Sequence, residues 1–226
     1  MTNGPKAVGI IMDGNRRWAR AQALPTFEGH AKGILKILDV VNWAQSRGVE
    51  QVTIYAFSTE NWNRSAEEVS YLMKLFEKFF AEHLAELSEK DVRVRFIGDR
   101  TLAAPRTQEI LRETERRTAA GINGTLVVAF SYGGRPEILA AVNTLLKMGK
   151  QKVTEEEFEA ALWTAGLLDP DLIIRTGGEQ RLSNFLPWQS AYSELFFTET
   201  MWPDFSEEEI EKIFQEYAAR ERRHGK

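Results

Sequence analysis

The stretch VGIIMDGNRRWARAQ, residues 8–22, changes character halfway along. A short apolar run stops at Asp13-Gly14-Asn15, and the next turn of chain carries Arg16, Arg17 and Trp18. An uninterrupted apolar run bounded by turn residues reads as a strand buried on both faces, as in parallel sheets. The residues after it read as a sharp turn into a helix, so the stretch is the opening strand–helix step of an α/β fold.

The same alternation continues outward from it. Candidate strands are 6–12, 51–57, 92–98, 125–131, 171–175 and 194–198, each β-branched or aromatic and bounded by polar residues or glycine. Between them, apolar residues recur at three- and four-residue spacing: Ile34, Leu35, Leu38, Val41 and Ala44 in 28–47, and Val69, Leu72, Met73, Phe76, Phe80, Leu84 and Leu87 in 66–90. Further helices fit 105–119, 135–148, 154–165 and 206–222. The predicted fold is α/β, a mostly parallel six-stranded sheet flanked by helices, with residues 1–226 as one domain.

Composition narrows the function. The 226 residues are 43% hydrophobic and 27% charged, which is globular usage. A net charge of −4 argues against a nucleic-acid partner, because neutralising phosphates takes a basic surface. With no cysteine, thiolate zinc sites, cysteine nucleophiles and disulfides are excluded. Only His30, His83 and His224 are present, too few for a multi-histidine metal site. The absence of a signal-like start or a bilayer-length apolar run leads to the expectation of a cytoplasmic chain that can sit peripheral to a membrane.

In open parallel sheets ligands bind outside the carboxyl ends of the strands. There the sequence places Asp13 to Trp18, Ser58 to Arg64, Asp99-Arg100, Tyr132 to Arg135 and Thr176 to Arg181. Arg17, Arg64, Arg175 and Arg181 in an otherwise acidic chain point to a polyanion, with diphosphate the commonest small one. Glycine at a strand-to-helix turn lets such an anion approach backbone N–H groups. Asp13 would repel it unless a cation lies between, and Mg²⁺ takes one or two carboxylates plus substrate phosphates. Each loop alone also fits an ordinary turn, and Trp18, Trp62 and the phenylalanines of 76–80 also fit a core. The coincidence of five loops favours a site.

The segments VGIIMDGNRRWA, EGHAKG, YAFSTENWNR, SYGGR, IIRTGGEQRLSNFLPWQSAYSELFF and WPDF, in this order, resemble the cis-prenyltransferases, from about Lys6 to Gly225. That resemblance implies addition of isopentenyl diphosphate to an allylic diphosphate, usually farnesyl diphosphate, with Mg²⁺, in a homodimer with an apolar tunnel. Its long-chain members make carrier lipids such as undecaprenyl diphosphate for cell-wall synthesis, with transient membrane-surface contact for product release. Short-chain members and non-catalytic partner subunits are the alternatives. It implies Asp13 and Asn61 as catalytic residues and Asp13 and Glu194 as Mg²⁺ ligands. Substrate contacts would be Gly14, Asn15, Arg16, Arg17, Trp18 and His30 on one side, and Ser58, Thr59, Glu60, Trp62 and Arg64 beside Asn61. Arg175, Arg181 and Ser183 would hold isopentenyl diphosphate, and Arg223-His224-Gly225 would reach across the dimer. Thr26 and Gln180 stand where many members have arginine and some have histidine. Ala56, Gly124 and the apolar faces of the two long helices would set product length.

Overall fold

The computed structural model describes residues 4–220. Six strands form one sheet in the order β3-β4-β2-β1-β5-β6, with β1 Ala7–Ile11, β2 Gln51–Ser58, β3 Arg93–Ile97, β4 Thr125–Tyr132, β5 Leu172–Arg175 and β6 Glu194–Phe197. Every pairing among them is parallel. All six expected strands are present, and the apolar run of the opening stretch is the buried β1, flanked by β2 and β5. Ile10, Ile54, Val128 and Ile174 are wholly or almost wholly buried, and burial of such side chains stabilises by roughly 1.5–3 kcal/mol each.

The helices are α1 Asn15–Ala21, α2 Thr26–Gln45, α3 Ala66–Glu89, α4 Pro105–Thr118, α5 Gly134–Lys147, α6 Glu155–Glu159 and α7 Glu207–Ala219. The larger core cluster joins α2, α3 and α7 to one face of the sheet, while a smaller one, around Ile173, Phe185 and Tyr132, lies on the other. Among the described residues no helix is long and apolar enough to cross a membrane.

One expected helix is cut short. Instead of running over 154–165, α6 ends at Glu159 and the chain continues in turns. Within those turns a buried carboxylate intervenes: Glu137 on α5 accepts hydrogen bonds from the Thr164 N–H and hydroxyl at 3.0 and 3.1 Å, which removes that N–H from any helical ladder. Glu137 also accepts from Tyr132 and Gln189, so it is thoroughly partnered at 1% exposure. On edge strand β3, side chains of α4 occupy the open hydrogen-bonding positions. The Val94 N–H donates to Thr118 Oγ1 at 3.0 Å and the Phe96 N–H to Glu115 Oε1 at 2.8 Å. Covering these donors blunts the edge against pairing with another chain.

Candidate active site

The carboxyl ends of β1 and β5 lie side by side, with Ile11 in register with Arg175, so the residues beyond them meet. The Asp13 N–H donates to Thr176 Oγ1 at 3.0 Å, and the Thr176 hydroxyl donates to the Asp13 carbonyl at 2.7 Å. The Trp202 N–H adds a third bond to that carbonyl. With its backbone fixed, Asp13 accepts from the Gly14 N–H at 2.7 Å and from Arg175 Nη2 at 2.8 Å, and Arg17 Nη2 lies 3.3 Å away. Burial alone would raise its carboxyl; the Arg175 bond and charge, the Gly14 N–H and Arg17 outweigh it and hold the group below the usual aspartate range. Asp13 is therefore ionised at neutral pH.

Arg175 is 4% exposed and spreads its guanidinium over three acceptors: Asp13, the Arg181 carbonyl at 2.5 Å and Ser183 Oγ at 2.9 Å. Only its Nε lacks a partner. Arg181 itself is exposed and pairs with Glu179. Gly14 has φ 104°, and a Cβ there would also meet Met201 at 2.9 Å, so glycine is required on both counts. Helix α1 has seven residues, too short for a large macrodipole, and the positive charge of the cleft comes chiefly from side chains.

The EGHAKG motif has a packing reason. A side chain at Gly29 or Gly33 would run into Asn15, so the two glycines let α2 lie against the start of α1. Between them His30 points into an enclosed space with its Nε2 unpartnered; burial, then the charge of Arg64, push it down to about 4, so it is a neutral imidazole. Asn15 Oδ1 is likewise buried without a partner. Beyond them lies an apolar cavity of about 140 Å³ among α2, α3 and β2, walled by Ile34, Ile37, Ile54, Leu72, Phe76 and Phe80. A more open polar cleft of about 560 Å³ lies over Asp13, Ser58, Glu60, Arg175 and Ser183. Met12, Tyr55, Asn61 and Arg64 line both.

The structure thus brings Asp13, Ser58, Glu60, Asn61, Arg64, Arg175 and Ser183 to one cleft, with Arg17 beside it and Asn15 and His30 at the apolar cavity. Asn61 closes a capping box by accepting the Ser58 N–H at 3.0 Å. Thr59 packs near Gly133, and exposed Arg16 lies 3.8 Å from Glu68, which also pairs with Arg64. Three expected positions fall elsewhere. Trp18 is buried, donates to Asp204 at 2.8 Å and carries Lys32 over its ring at 4.3 Å; it fastens α1 to the WPDF segment instead of lining the cleft. Trp62 donates to Ser131 Oγ and packs edge-on against Phe57, a tie between strand ends. Glu194 pairs in register with Leu172, at the opposite end of β5 from Arg175, and binds Arg220. Three residues of strand put it ~10 Å along the sheet from the Asp13 end, and two strand spacings add ~10 Å across. One chain therefore does not bring Glu194 to Asp13.

Gly124 sits before β4 against Gln45 and Glu50, outside the apolar cavity, whereas Ala56 does line it. Residues 223–225 lie outside the described residues, and Thr26 and Gln180 are exposed. Sequence reasoning missed Thr176, which locks the Asp13 backbone, and Asn184, which lines the polar cleft. The signal for Thr176 was its place directly after the β5 run. Among the described residues no cluster of three or more His, Cys, Asp or Glu side chains is placed to hold a metal. The donor set fits Mg²⁺ in one way: Asp13 as a single ionised carboxylate, the remaining ligands coming from diphosphate and water.

An ionised aspartate among arginines, joined to a mainly hydrocarbon-lined pocket, fits a ligand with a polyanionic head and an apolar tail. A family model described as "Putative undecaprenyl diphosphate synthase" matches residues 11–225. An isoprenyl transferase of Ralstonia nicotianae is 45% identical over 98% of this chain and 88% of its own length, and one of Thermotoga maritima is 44% identical over 98% and 97%. Among solved structures, lavandulyl diphosphate synthase from Lavandula x intermedia, in complex with dimethylallyl diphosphate, superposes with a TM-score of 0.94 at 33% identity, covering 99% of both chains. A "probable undecaprenyl diphosphate synthase" from Campylobacter jejuni gives 0.84 at 30% identity over 98% and 99%. The chain belongs to the undecaprenyl diphosphate synthase family of cis-prenyltransferases, and it is a transferase.

Proposed function

We propose that the protein condenses isopentenyl diphosphate onto an allylic diphosphate, with farnesyl diphosphate as primer, in a Mg²⁺-dependent reaction. Repeated addition would make a polyprenyl diphosphate such as undecaprenyl diphosphate, a carrier lipid for cell-wall or glycan assembly. The observation that carries this reading is the junction of the two spaces at Asn61 and Arg64, which line both. An allylic diphosphate lying across it has its hydrocarbon beside Ile34 and Leu72 and its head toward Asp13 and Arg17. Isopentenyl diphosphate is then held by Arg175, Arg181 and Ser183.

In the condensation the allylic C–O bond breaks and diphosphate leaves with the electron pair. The terminal alkene carbon of isopentenyl diphosphate forms the new C–C bond, and loss of a proton from the methylene between the alkene and the diphosphate-bearing carbon leaves the cis double bond. Negative charge grows on the departing diphosphate, so Arg17, beside Asp13, and Arg16 stabilise the transition state more than the ground state. Asp13 would hold Mg²⁺, which when bound would supply further neutralisation of that charge. Alignment of the two substrates lowers the barrier further. Asn61 is oriented by the Ser58 N–H; an amide is a poor base, so it orients the isopentenyl group while phosphate or water takes the proton.

The homodimer belongs to the same proposal. Leu139, Val142 and Leu146 form one exposed apolar stripe on α5, of the kind that another chain covers. A metal role for Glu194 requires such a second copy. Each added unit buries several carbons at about 0.8 kcal/mol per CH₂, so long products bind tightly and contact with a membrane surface aids their release.

One observation favours a short-chain reading: the cavity of about 140 Å³ matches one that holds benzene, and Phe57, Phe76 and Phe80 line it, with Phe130 packed behind Phe57 and Phe76. Incubation of the purified protein with labelled isopentenyl diphosphate, Mg²⁺ and allylic primers of increasing length separates the readings. A ladder abolished by EDTA and ending in long polyprenyl diphosphates supports the first, and termination after one or two additions supports the second. No incorporation by folded protein with any primer would leave the partner-subunit reading.

A further inference from the structure

Asn184 sits where three loops of the cleft meet. Ser183, Asn184 and Leu186 all have left-handed backbones, with φ of 49°, 68° and 48°, a conformation non-glycine residues adopt only when their surroundings impose it. Asparagine tolerates it best, because its short side chain can hydrogen-bond locally. Here both ends of that side chain are used. Asn184 Nδ2 donates to Glu60 Oε1 at 3.1 Å, and Asn184 Oδ1 accepts from the Arg135 N–H at 2.9 Å. Its carbonyl also accepts from the Gly134 N–H at 2.8 Å. At Gly133 a Cβ would meet Asn184 Nδ2 and Thr59 Oγ1, each at 2.7 Å, so the glycine leaves room for this junction.

The partners belong to opposite sides of the cleft. Glu60 lies in the 3-10 turn Thr59–Asn63, which the Ser58–Asn61 capping box closes into a unit, so fixing Glu60 fixes Asn61. Ser183, next to Asn184, is held by Arg175. We propose that Asn184 is a positioning residue whose amide clamps the Asn61 turn to the loop of Arg181 and Ser183, setting the separation at which the two substrates meet. This rests on the prenyl-transfer reading. In this role Asn184 acts through its protein partners, Glu60 and the Arg135 N–H.

Two substitutions test it. Asn184→Gly keeps the left-handed backbone without strain and removes the clamp. Asn184→Asp keeps the acceptor for Arg135 but sets a carboxylate against Glu60; facing carboxylates share a proton as pH falls. Both variants are expected to lose at least tenfold in kcat/KM for isopentenyl diphosphate, with KM for the allylic primer within twofold of the parent. Fluorine NMR of protein labelled with 5-fluorotryptophan reads the turn through Trp62 without turnover, and its resonance should move in both variants. The Trp62 resonance keeps the test separate from the prenyl-transfer reading: if the parent enzyme proves inactive, a displaced signal supports the clamp and an unmoved one overturns it. With an active parent, kcat/KM within twofold or equal losses for both substrates overturns it. Should Asn184→Asp fail to fold, Asn184→Gly decides.

Discussion

The polar cleft and the apolar cavity share four lining residues yet are built on opposite principles. In the cleft nearly every charged group already has a partner: Arg175 alone serves Asp13, Ser183 and the Arg181 carbonyl. In the cavity most of the walls are aliphatic and aromatic, and two buried polar atoms there, His30 Nε2 and Asn15 Oδ1, have no hydrogen-bond partner. An amphiphile is accommodated by dividing the work between the two. Prepositioned charges need little reorganisation when an anion arrives, whereas hydrocarbon is drawn in by leaving water and needs only space of the right shape.

Substitutions can break the two regions separately. The largest effect is expected from Asp13→Ala, which removes the hub of the charged network: turnover should fall on the order of 10²–10³-fold, measured as incorporation of isopentenyl diphosphate. Arg175→Lys comes next, with an expected loss of roughly tenfold to a hundredfold, because an ammonium cannot reproduce the fork of a guanidinium toward three acceptors. These two should leave product length unchanged. Ala56→Leu and Phe80→Ala do the opposite. Filling the cavity should shorten the product and opening it should lengthen it, read by chromatography, with Phe80→Ala also destabilising by about 3–5 kcal/mol.

The border between the regions has its own signature in pH. His30 is held down to about 4 in the folded protein against roughly 6.5 unfolded, so the unfolded chain binds more protons between those values. Stability should be full above pH 6.5 and fall by about 2 kcal/mol on going to pH 5. Urea titrations at both pH values check this, and in His30→Gln that component of the loss should disappear. Thr118→Ala, remote from both regions, is the control: it strips the Val94 N–H of its acceptor and should cost about 1–2 kcal/mol without changing turnover or product length.

The same contrast explains what was legible in the sequence. The cleft is written in contiguous loops directly after strands, so Asp13, Asn61, Arg175 and Ser183 could be placed together from strand order and the family resemblance. The cavity is written in side chains of α2, α3 and β2 that are far apart in sequence, and its size depends on how Phe57, Phe76, Phe80 and Phe130 pack. Helical spacing identified its wall residues as buried, and only the family resemblance pointed to a space between them; of the two small residues it named for that space, Ala56 lines the cavity and Gly124 does not. The buried tie of Trp18 was not legible because its partner, Asp204, lies at the far end of the chain. The shortened α6 was hidden for a similar reason, since Glu137 competes for its backbone from another helix. Glu194 followed a motif whose chemistry one chain cannot complete.

The most direct measurement is a crystal structure of the protein soaked with an unreactive allylic thiodiphosphate and isopentenyl diphosphate. Hydrocarbon is expected between α2 and α3, past Asn61 and Arg64, with one diphosphate beside Asp13 and Arg17 and the other beside Arg175 and Ser183. Hydrocarbon lying outside the cavity, or both diphosphates bound away from Asp13, would contradict the division of the site into a charged cleft and a dry cavity.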